Sequence, residues 1–157
     1  MGHVREFQAG DAAALAPHLR MADLQEIQAA SGQPPITALL VGAEQSAPSC
    51  TVIGNSGKVA GMFGVVPEGD FGRVWMLGSD ELVAPPLSRQ FIRECRQFLA
   101  FMERPYLAIG NVIDARNVVH IRWLKWMGFT FINCIPEYGI ERRPFLEFIK
   151  LCANQCQ

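Results

Sequence analysis

The chain has 157 residues, half of them apolar and only 18% charged, with a formal net charge of −1. This length predicts one domain over residues 1–157 with a core of its own. The apolar content excludes an intrinsically disordered protein, and the charge gives no electrostatic reason to expect nucleic-acid binding. The composition is rather apolar for a free monomer, so we expect a surface for a partner protein or for a second copy of the chain.

The cysteines give no sign of a disulfide framework. There are five, an odd number, with no CxxC pair, and no secretory signal precedes them. Cys152 and Cys156 stand four apart, but no nearby histidine completes a metal site, so we expect reduced thiols and no metal. No apolar run approaches the roughly 20 residues that cross a bilayer. We expect a soluble, intracellular protein that does not bind membranes.

The N-terminal third predicts one strand followed by helices. His3–Gln8 alternates in polarity and reads as a strand, and Asp11 after it is suited to capping a helix. Apolar residues at helical spacing then predict three helices, the last of them weak. These are Asp11–Arg20, Met21–Ala30 and Ile36–Ala43.

The middle of the chain is rich in strand patterns. The predicted strands are Cys50–Gly54, Lys58–Pro67 and Arg73–Leu77. Asn55–Gly57 forms a hairpin turn between the first two, because its residues tolerate positive φ. Pro85 and Pro86 mark the first turn of a helix over Leu87–Glu103, where a missing N–H is harmless.

The C-terminal third predicts strand–helix–strand units. Tyr106–Val112 is continuously apolar, which is typical of a central strand buried on both faces. A helix over Ala115–Met127 follows and is closed by Gly128, the usual residue for a left-handed cap. Phe129–Ile135 is a further strand, and Arg143–Leu151 is a last strand or a short helix.

The most specific motif runs from Asn117 to Phe129 and reads NVVHIRWLKWMGF. It resembles the acyl-CoA-binding segment of GNAT N-acyltransferases, which has Asn, six variable residues, an aromatic residue, three more residues and then Gly-Phe. Any amphipathic helix with a glycine cap before a strand has similar features. Together with the order of elements, the resemblance implies a GNAT-like α/β (α+β) fold. Its central sheet would be mixed and mostly antiparallel, with about six to seven strands and helices on both faces.

Two stretches resemble the internal virion protein A family of short-tailed bacteriophages, whose members are described as acetyltransferase-like. They are His120–Lys125 (HIRWLK) and Val74–Asp80 (VWMLGSD). This resemblance implies a phage protein that is found in the host cytoplasm during infection or in the virion. It also implies a host or phage protein as partner.

The GNAT resemblance implies acetyl-CoA, or another acyl-CoA, as cosubstrate. Its pantetheine would pair with the strand backbone, and its pyrophosphate would meet the start of the next helix. The family's glycine-containing phosphate turn is absent, since no glycine lies between Gly78 and Phe91. The candidate cosubstrate-binding residues are therefore Trp75, Met76, Leu77, Ser88, Arg89, Gln90 and Asn117. Arg89 also fits an ordinary solvated first turn.

The catalytic groups that the GNAT resemblance implies are only partly present in this sequence. The family often has a tyrosine as general acid eight places into the motif, where this chain has Leu124, which cannot donate a proton. Asp80 and Glu81 are the candidate general bases, although surface acids beside a helix would look the same. His120 would touch CoA or an amine substrate, or else would bond a backbone carbonyl as a structural residue.

Three functions stay open on these residues. The first is an acetyl-CoA-dependent N-acyltransferase acting on a host protein or a small amine. The second is a catalytically degenerate GNAT-like phage protein that acts in virion morphogenesis or binds a host protein. The third is an acyl-CoA sensor without turnover.

Overall fold

The computed structural model describes residues 1–152. The strands are β1 (His3–Glu6), β2 (Ser49–Ile53), β3 (Val59–Glu68), β4 (Phe71–Gly78), β5 (Ala108–Asp114), β6 (Thr130–Tyr138) and β7 (Arg143–Leu151). The helices are α1 (Asp11–Leu15), α2 (Met21–Ala30), α3 (Pro35–Gln45), α4 (Asp80–Val83), α5 (Leu87–Met102) and α6 (Val118–Trp126), and a 3-10 turn covers Ala16–His18. Cys156 lies outside the described residues.

The seven strands form one sheet in the order β1-β2-β3-β4-β5-β7-β6. Every neighbouring pair is antiparallel except β4 and β5, which are parallel. The predicted mixed, mostly antiparallel sheet is therefore confirmed. The last segment, predicted as a strand or a short helix, is the strand β7, and it lies between β5 and β6.

Helices cover both faces of the sheet, as predicted. On one face of the sheet, the buried apolar residues of α5 and α6 pack with strand residues into one core cluster. On the other face, those of α1, α2 and α3 form a second cluster. In α5 the buried residues Phe91, Cys95, Leu99 and Met102 recur every three or four positions, which places them on one side of the helix. Burying each large apolar side chain stabilises the fold by roughly 1.5–3 kcal/mol.

Some element boundaries differ from the predicted ones. The first helix ends at Leu15 rather than Arg20, because Pro17 lacks the N–H that would continue it and Leu19 instead bridges to Ser79. The helix predicted from Ala115 begins only at Val118. There the Asp114 carboxylate accepts a hydrogen bond from the Arg116 amide at 2.9 Å, which holds the chain in a turn.

The predicted turns are confirmed at the glycines that need positive φ. Gly128 has φ of 98° after α6, and Gly57 has φ of 82° between β2 and β3. Among the described residues, no helix combines the length and the apolar character that crossing a membrane requires.

Candidate functional site

A gap opens in the middle of the sheet between its two parallel strands. Residues Phe71–Arg73 of β4 pair with Ala108–Gly110 of β5, and the two strands then separate. We call the space between Val74–Gly78 and Asn111–Asp114 the strand gap. In the part of the chain that the structure describes, no strand pairs with this edge of β4. Backbone groups at such an edge are available to a ligand.

A cavity of about 310 Å³ reaches the strand gap from both faces of the sheet. We call it the central cavity. On one face it is lined by apolar side chains of α5 and α6, and on the other by residues of α2, α3 and β4. The first set includes Phe91, Cys95, Phe98, Leu99 and Leu124; the second includes Glu26, Val41, Gly42, Gln45 and Trp75. An apolar cavity with a few polar groups is typical of a small-molecule site.

The three residues predicted to bind pantetheine, Trp75, Met76 and Leu77, line the central cavity and lie beyond the last β4–β5 pair. Trp75 is held in place by a 2.7 Å hydrogen bond from its Nε1 to Ser46 Oγ. At the vertex of the strand gap, Asn111 Nδ2 donates to the Val74 carbonyl at 2.8 Å. The side chain of Asn111 thus joins the two strands where their backbone pairing ends.

Four buried polar residues form a cluster at the open end of the strand gap. We call this cluster, Arg20, Asp23, Asn117 and His120, the polar hub. Asp23 accepts hydrogen bonds from Arg20 Nε at 3.1 Å, from the Gly78 amide at 2.9 Å and from Asn117 Nδ2 at 3.2 Å. Arg20 also donates to Asn117 Oδ1. The hub therefore ties α2 to the end of β4 and to the start of α6.

Asn117 was predicted to bind the cosubstrate, and the structure places it inside this hub. Its side chain is 1% exposed and is bonded to Arg20 and Asp23. The Asn of the motif therefore orients α6 beside the strand gap. Direct contact between Asn117 and a ligand stays a prediction.

His120 lies between the hub and the central cavity. Its Nδ1 is 3.4 Å from Asn117 Nδ2, and its ring stacks on Trp123 with 5.5 Å between centroids. Burial lowers the pKa of His120 to about 4, helped by the Arg20 charge and opposed by Asp23, so the ring is neutral at pH 7. A hydrogen bond from this ring to a backbone carbonyl is one of the two predicted roles of His120. Among the described residues, the ring makes no such bond.

Glu26 of α2 is an acidic residue in the wall of the central cavity. Its Oε1 accepts a 2.9 Å hydrogen bond from the Asp114 amide at the end of β5. Burial raises the pKa of Glu26 to about 7, and the nearby charges of Asp23 and Asp114 add to the rise. A carboxyl with such a pKa can take up and release a proton near neutral pH.

The predicted general bases lie elsewhere. Glu81 accepts hydrogen bonds from the Ser56 amide at 3.1 Å and from Ser56 Oγ at 2.7 Å, so it holds the β2–β3 turn. Asp80 is exposed at the start of α4. Neither residue lines the central cavity. A catalytic role for them stays a prediction, and the geometry favours Glu26.

The predicted phosphate-binding residues lie in the first turn of α5. Arg89 is exposed there, and Ser88 is partly buried. Gln90 Nε2 donates to the Gly2 carbonyl at 2.8 Å, so this side chain is committed to the N-terminal segment. The amides of Ser88 and Gln90 are also bonded within the turn, to Ala84 and Pro86. Of the three residues, Arg89 has the side chain best placed to meet an anion.

No sequence pattern marks Glu26, Asn111 or Arg20 as site residues. Glu26 lies in an ordinary helical pattern, and its importance arises from burial beside Asp114. The described residues contain no group of three His, Cys, Asp or Glu side chains that could hold a metal ion. The sequence likewise predicts no metal site. Leu124 lines the central cavity at the position where the family motif often has tyrosine.

No protein-family model matches the chain, and no curated protein matches it. Solved structures do. The yncA protein of Salmonella typhimurium, solved with its cofactor acetyl-CoA, is 16% identical, with 99% of this chain and 96% of that chain covered and a TM-score of 0.73. An acetyltransferase of the GNAT family from Streptococcus pneumoniae is 15% identical, with coverage of 98% and 100% and a TM-score of 0.66. Spermidine N-acetyltransferase from Vibrio cholerae, solved with CoA and spermine, is 10% identical, with coverage of 96% and 95% and a TM-score of 0.66.

Proposed function

We propose that this chain, which has the GNAT acetyltransferase fold, is an acyl-CoA-dependent N-acyltransferase. The observation that carries the proposal is the strand gap, where β4 and β5 separate after Arg73 and Gly110. The unpaired β4 edge faces a cavity that is lined by residues from both faces of the sheet. Such an arrangement lets a donor approach from one face and an acceptor from the other.

The residues around the strand gap fit an acyl-CoA. The β4 edge at Trp75, Met76 and Leu77 has the backbone groups to hold a pantetheine arm, and the apolar wall from α5 suits its methylene groups. His120 Nε2 is a buried polar atom without a hydrogen-bond partner among the described residues, which indicates that the cavity takes a polar ligand. Acetyl-CoA would supply the acyl thioester at this position.

Glu26 is the residue we propose as the proton acceptor. It lines the cavity from α2, on the face opposite α5 and α6. Amines are protonated at neutral pH and must lose a proton before they act as nucleophiles. A carboxylate with a pKa of about 7 can accept that proton and pass it to solvent. The substrate class would be an amine, either on a protein or on a small molecule.

Calorimetric titration with acetyl-CoA tests the first part of this proposal. Micromolar binding is expected, and no binding at millimolar ligand would exclude it. Thiol release in the presence of candidate amines, starting with polyamines and with peptides that have a free N-terminus, tests the second part. Binding without thiol release for any amine would indicate an acyl-CoA sensor.

A second candidate function is favoured by Leu124. Because leucine has no proton to donate to a leaving thiolate, the chain would be a catalytically degenerate GNAT-like protein. The resemblance of His120–Lys125 and Val74–Asp80 to the phage family then suggests a role in virion morphogenesis or in binding a host protein, in the host cytoplasm or the virion. Absence of acetyl-CoA binding, together with recovery of the protein in purified virions, would support this alternative.

A further inference from the structure

His120, in the first turn of α6, is 5% exposed, and the two nitrogens of its imidazole have different surroundings. One ring nitrogen, Nδ1, lies toward the polar hub, 3.4 Å from Asn117 Nδ2 and 3.7 Å from Asp23 Oδ1. The other nitrogen, Nε2, is buried and has no hydrogen-bond partner among the described residues. Buried polar atoms without a partner are rare in folded proteins and call for an explanation.

The hub determines which ring nitrogen carries the proton. A guanidinium has only donors, and Arg20 bonds one atom of the Asn117 amide, so that atom is the oxygen Oδ1. The other atom is then the nitrogen Nδ2, which donates to Asp23 and lies 3.4 Å from His120 Nδ1, while the Glu26 carboxylate is a further hydrogen-bond partner of the Asn117 side chain. Among the described residues Nδ1 has no acceptor within hydrogen-bond distance, since Asp23 Oδ1 is 3.7 Å away, and this favours the acceptor role of Nδ1 toward Asn117. In a neutral imidazole the proton then resides on Nε2.

His120 lines the central cavity, and Nε2 is on the ring edge away from the hub. The same cavity wall includes Leu124 and Phe91, whose ring is tilted against Trp123 with 5.4 Å between centroids, and neither side chain has an acceptor to offer. Among the described residues the Nε2–H group has no acceptor, and a ligand that enters the cavity beside His120 can supply one.

We propose that His120 Nε2–H donates a hydrogen bond to a carbonyl oxygen of the acyl-pantetheine arm, either the thioester carbonyl or a pantetheine amide. The inference rests on the proposed function, because it needs an acyl-CoA in the strand gap. The amine substrate in its protonated form cannot be the hydrogen-bond partner of Nε2–H, since an ammonium group has only donors. His120 is accordingly a residue of the acyl-donor side of the site.

Two substitutions separate this role from a structural one. His120→Gln keeps an amide N–H near the position of Nε2 and loses the acceptor that faces Asn117. His120→Asn keeps an oxygen near the position of Nδ1 and loses the donor in the cavity. Affinity for acetyl-CoA and for CoA is measured by calorimetric titration, and stability is measured by urea unfolding without ligand.

We expect His120→Asn to bind acetyl-CoA about fivefold more weakly than the wild type, the usual effect of one lost hydrogen bond, while His120→Gln binds close to normally. If only acetyl-CoA binding is weakened, the acceptor is the thioester carbonyl; if CoA binding weakens equally, it is a pantetheine amide. Normal binding by His120→Asn would overturn this inference and leave the proposed function intact. A wild-type protein that binds neither ligand would overturn both.

A measurement on the wild-type protein covers the case in which a variant does not fold. Nitrogen-15 NMR of labelled histidine distinguishes the two neutral tautomers and the imidazolium. Because His3 and His18 are both exposed, the resonances of the buried His120 ring can be told from theirs. We expect the Nε2–H tautomer at neutral pH and a shift of its Nε2 resonance on saturation with acetyl-CoA. The Nδ1–H tautomer, or an unchanged Nε2 resonance, would refute the proposal.

Discussion

Asn117 Nδ2 donates a hydrogen bond to Asp23 Oδ1 over 3.2 Å, although the two residues are 94 positions apart in the sequence. This contact joins the start of α6 to α2 at the open end of the strand gap. Asp23 is 0% exposed, and its other bonds go to Arg20 and to the Gly78 amide at the end of β4. One carboxylate thus holds three elements that surround the site.

Removing this carboxylate is expected to destabilise the fold. Asp23→Ala leaves the buried Arg20 charge without its carboxylate partner and the Gly78 amide without an acceptor, so we expect a loss of about 3–5 kcal/mol in the free energy of unfolding. Urea unfolding measures it. Asp80→Ala, at an exposed position, serves as the control and should change stability by less than about 0.5 kcal/mol. Similar values for both variants would show that the hub contributes little.

Replacing Glu26 is expected to slow acyl transfer without weakening acetyl-CoA binding. Glu26→Gln keeps the shape and the hydrogen bond from Asp114 but removes the proton acceptor, so we expect a loss of roughly 10²- to 10⁴-fold in thiol release. Because the pKa of Glu26 is about 7, the wild-type rate should fall as the pH drops below 7 and the carboxylate becomes protonated.

The matched control for Glu26 is Glu81→Gln, the same chemical change in α4, where the carboxylate contacts Ser56 of the β2–β3 turn. We expect its transfer rate and pH profile to follow the wild type. A rate loss in Glu81→Gln with normal transfer in Glu26→Gln would reverse the assignment and restore the prediction made from the sequence.

The buried His120 should make the fold sensitive to acid. Burial lowers the pKa of His120 from 6.5 to about 4, so between these values the unfolded chain binds more protons than the folded one. The contribution of His120 to stability is therefore fully present above about pH 6.5 and is lost as the pH falls toward 4. The raised pKa of Glu26 has the opposite effect on stability over the same pH range. The His120 contribution is therefore measured by comparing His120→Asn with the wild type in urea unfolding at about pH 7.5 and pH 5, and the wild type should be more destabilised by acid than the variant. His18→Asn, at an exposed position, should lose as much as the wild type.

A tyrosine at position 124 tests whether the missing general acid limits the rate. Leu124→Tyr places a hydroxyl in the cavity wall, and Leu124→Phe places the same ring without it. We expect Leu124→Tyr to release thiol about tenfold faster than Leu124→Phe, a modest effect for general acid catalysis. Equal rates in two variants that bind acetyl-CoA equally would show that the thiolate is protonated in another way.

Arg89 is expected to contact the phosphates of CoA, because it is exposed in the first turn of α5, where the helix dipole also favours an anion. Arg89→Ala should weaken CoA binding severalfold, and the loss should shrink as the salt concentration rises. Arg93→Ala removes the same charge from an exposed position one turn further along the helix and should bind nearly normally. An equal loss in both variants would point to a general charge effect instead of a site.

The sequence by itself determined the elements and the local turns of this protein. Period-2 and helical patterns predicted most strands and helices, and the positive φ of Gly128 follows from a local requirement that glycine meets at least cost. The Asn117–Phe129 motif pointed to the fold that the solved structures share. These features depend on neighbours along the chain, so a single sequence reveals them.

Only the tertiary structure decided how the site is built. Separation of β4 from β5 after Arg73, insertion of β7 beside β5 and the contact between Asn117 and Asp23 all depend on residues far apart in sequence. The pKa of Glu26 likewise rises because of burial, which no local pattern encodes. Glu81 looked well placed from its position after β4, but its carboxylate is bonded to Ser56, since the β2–β3 turn folds back against α4.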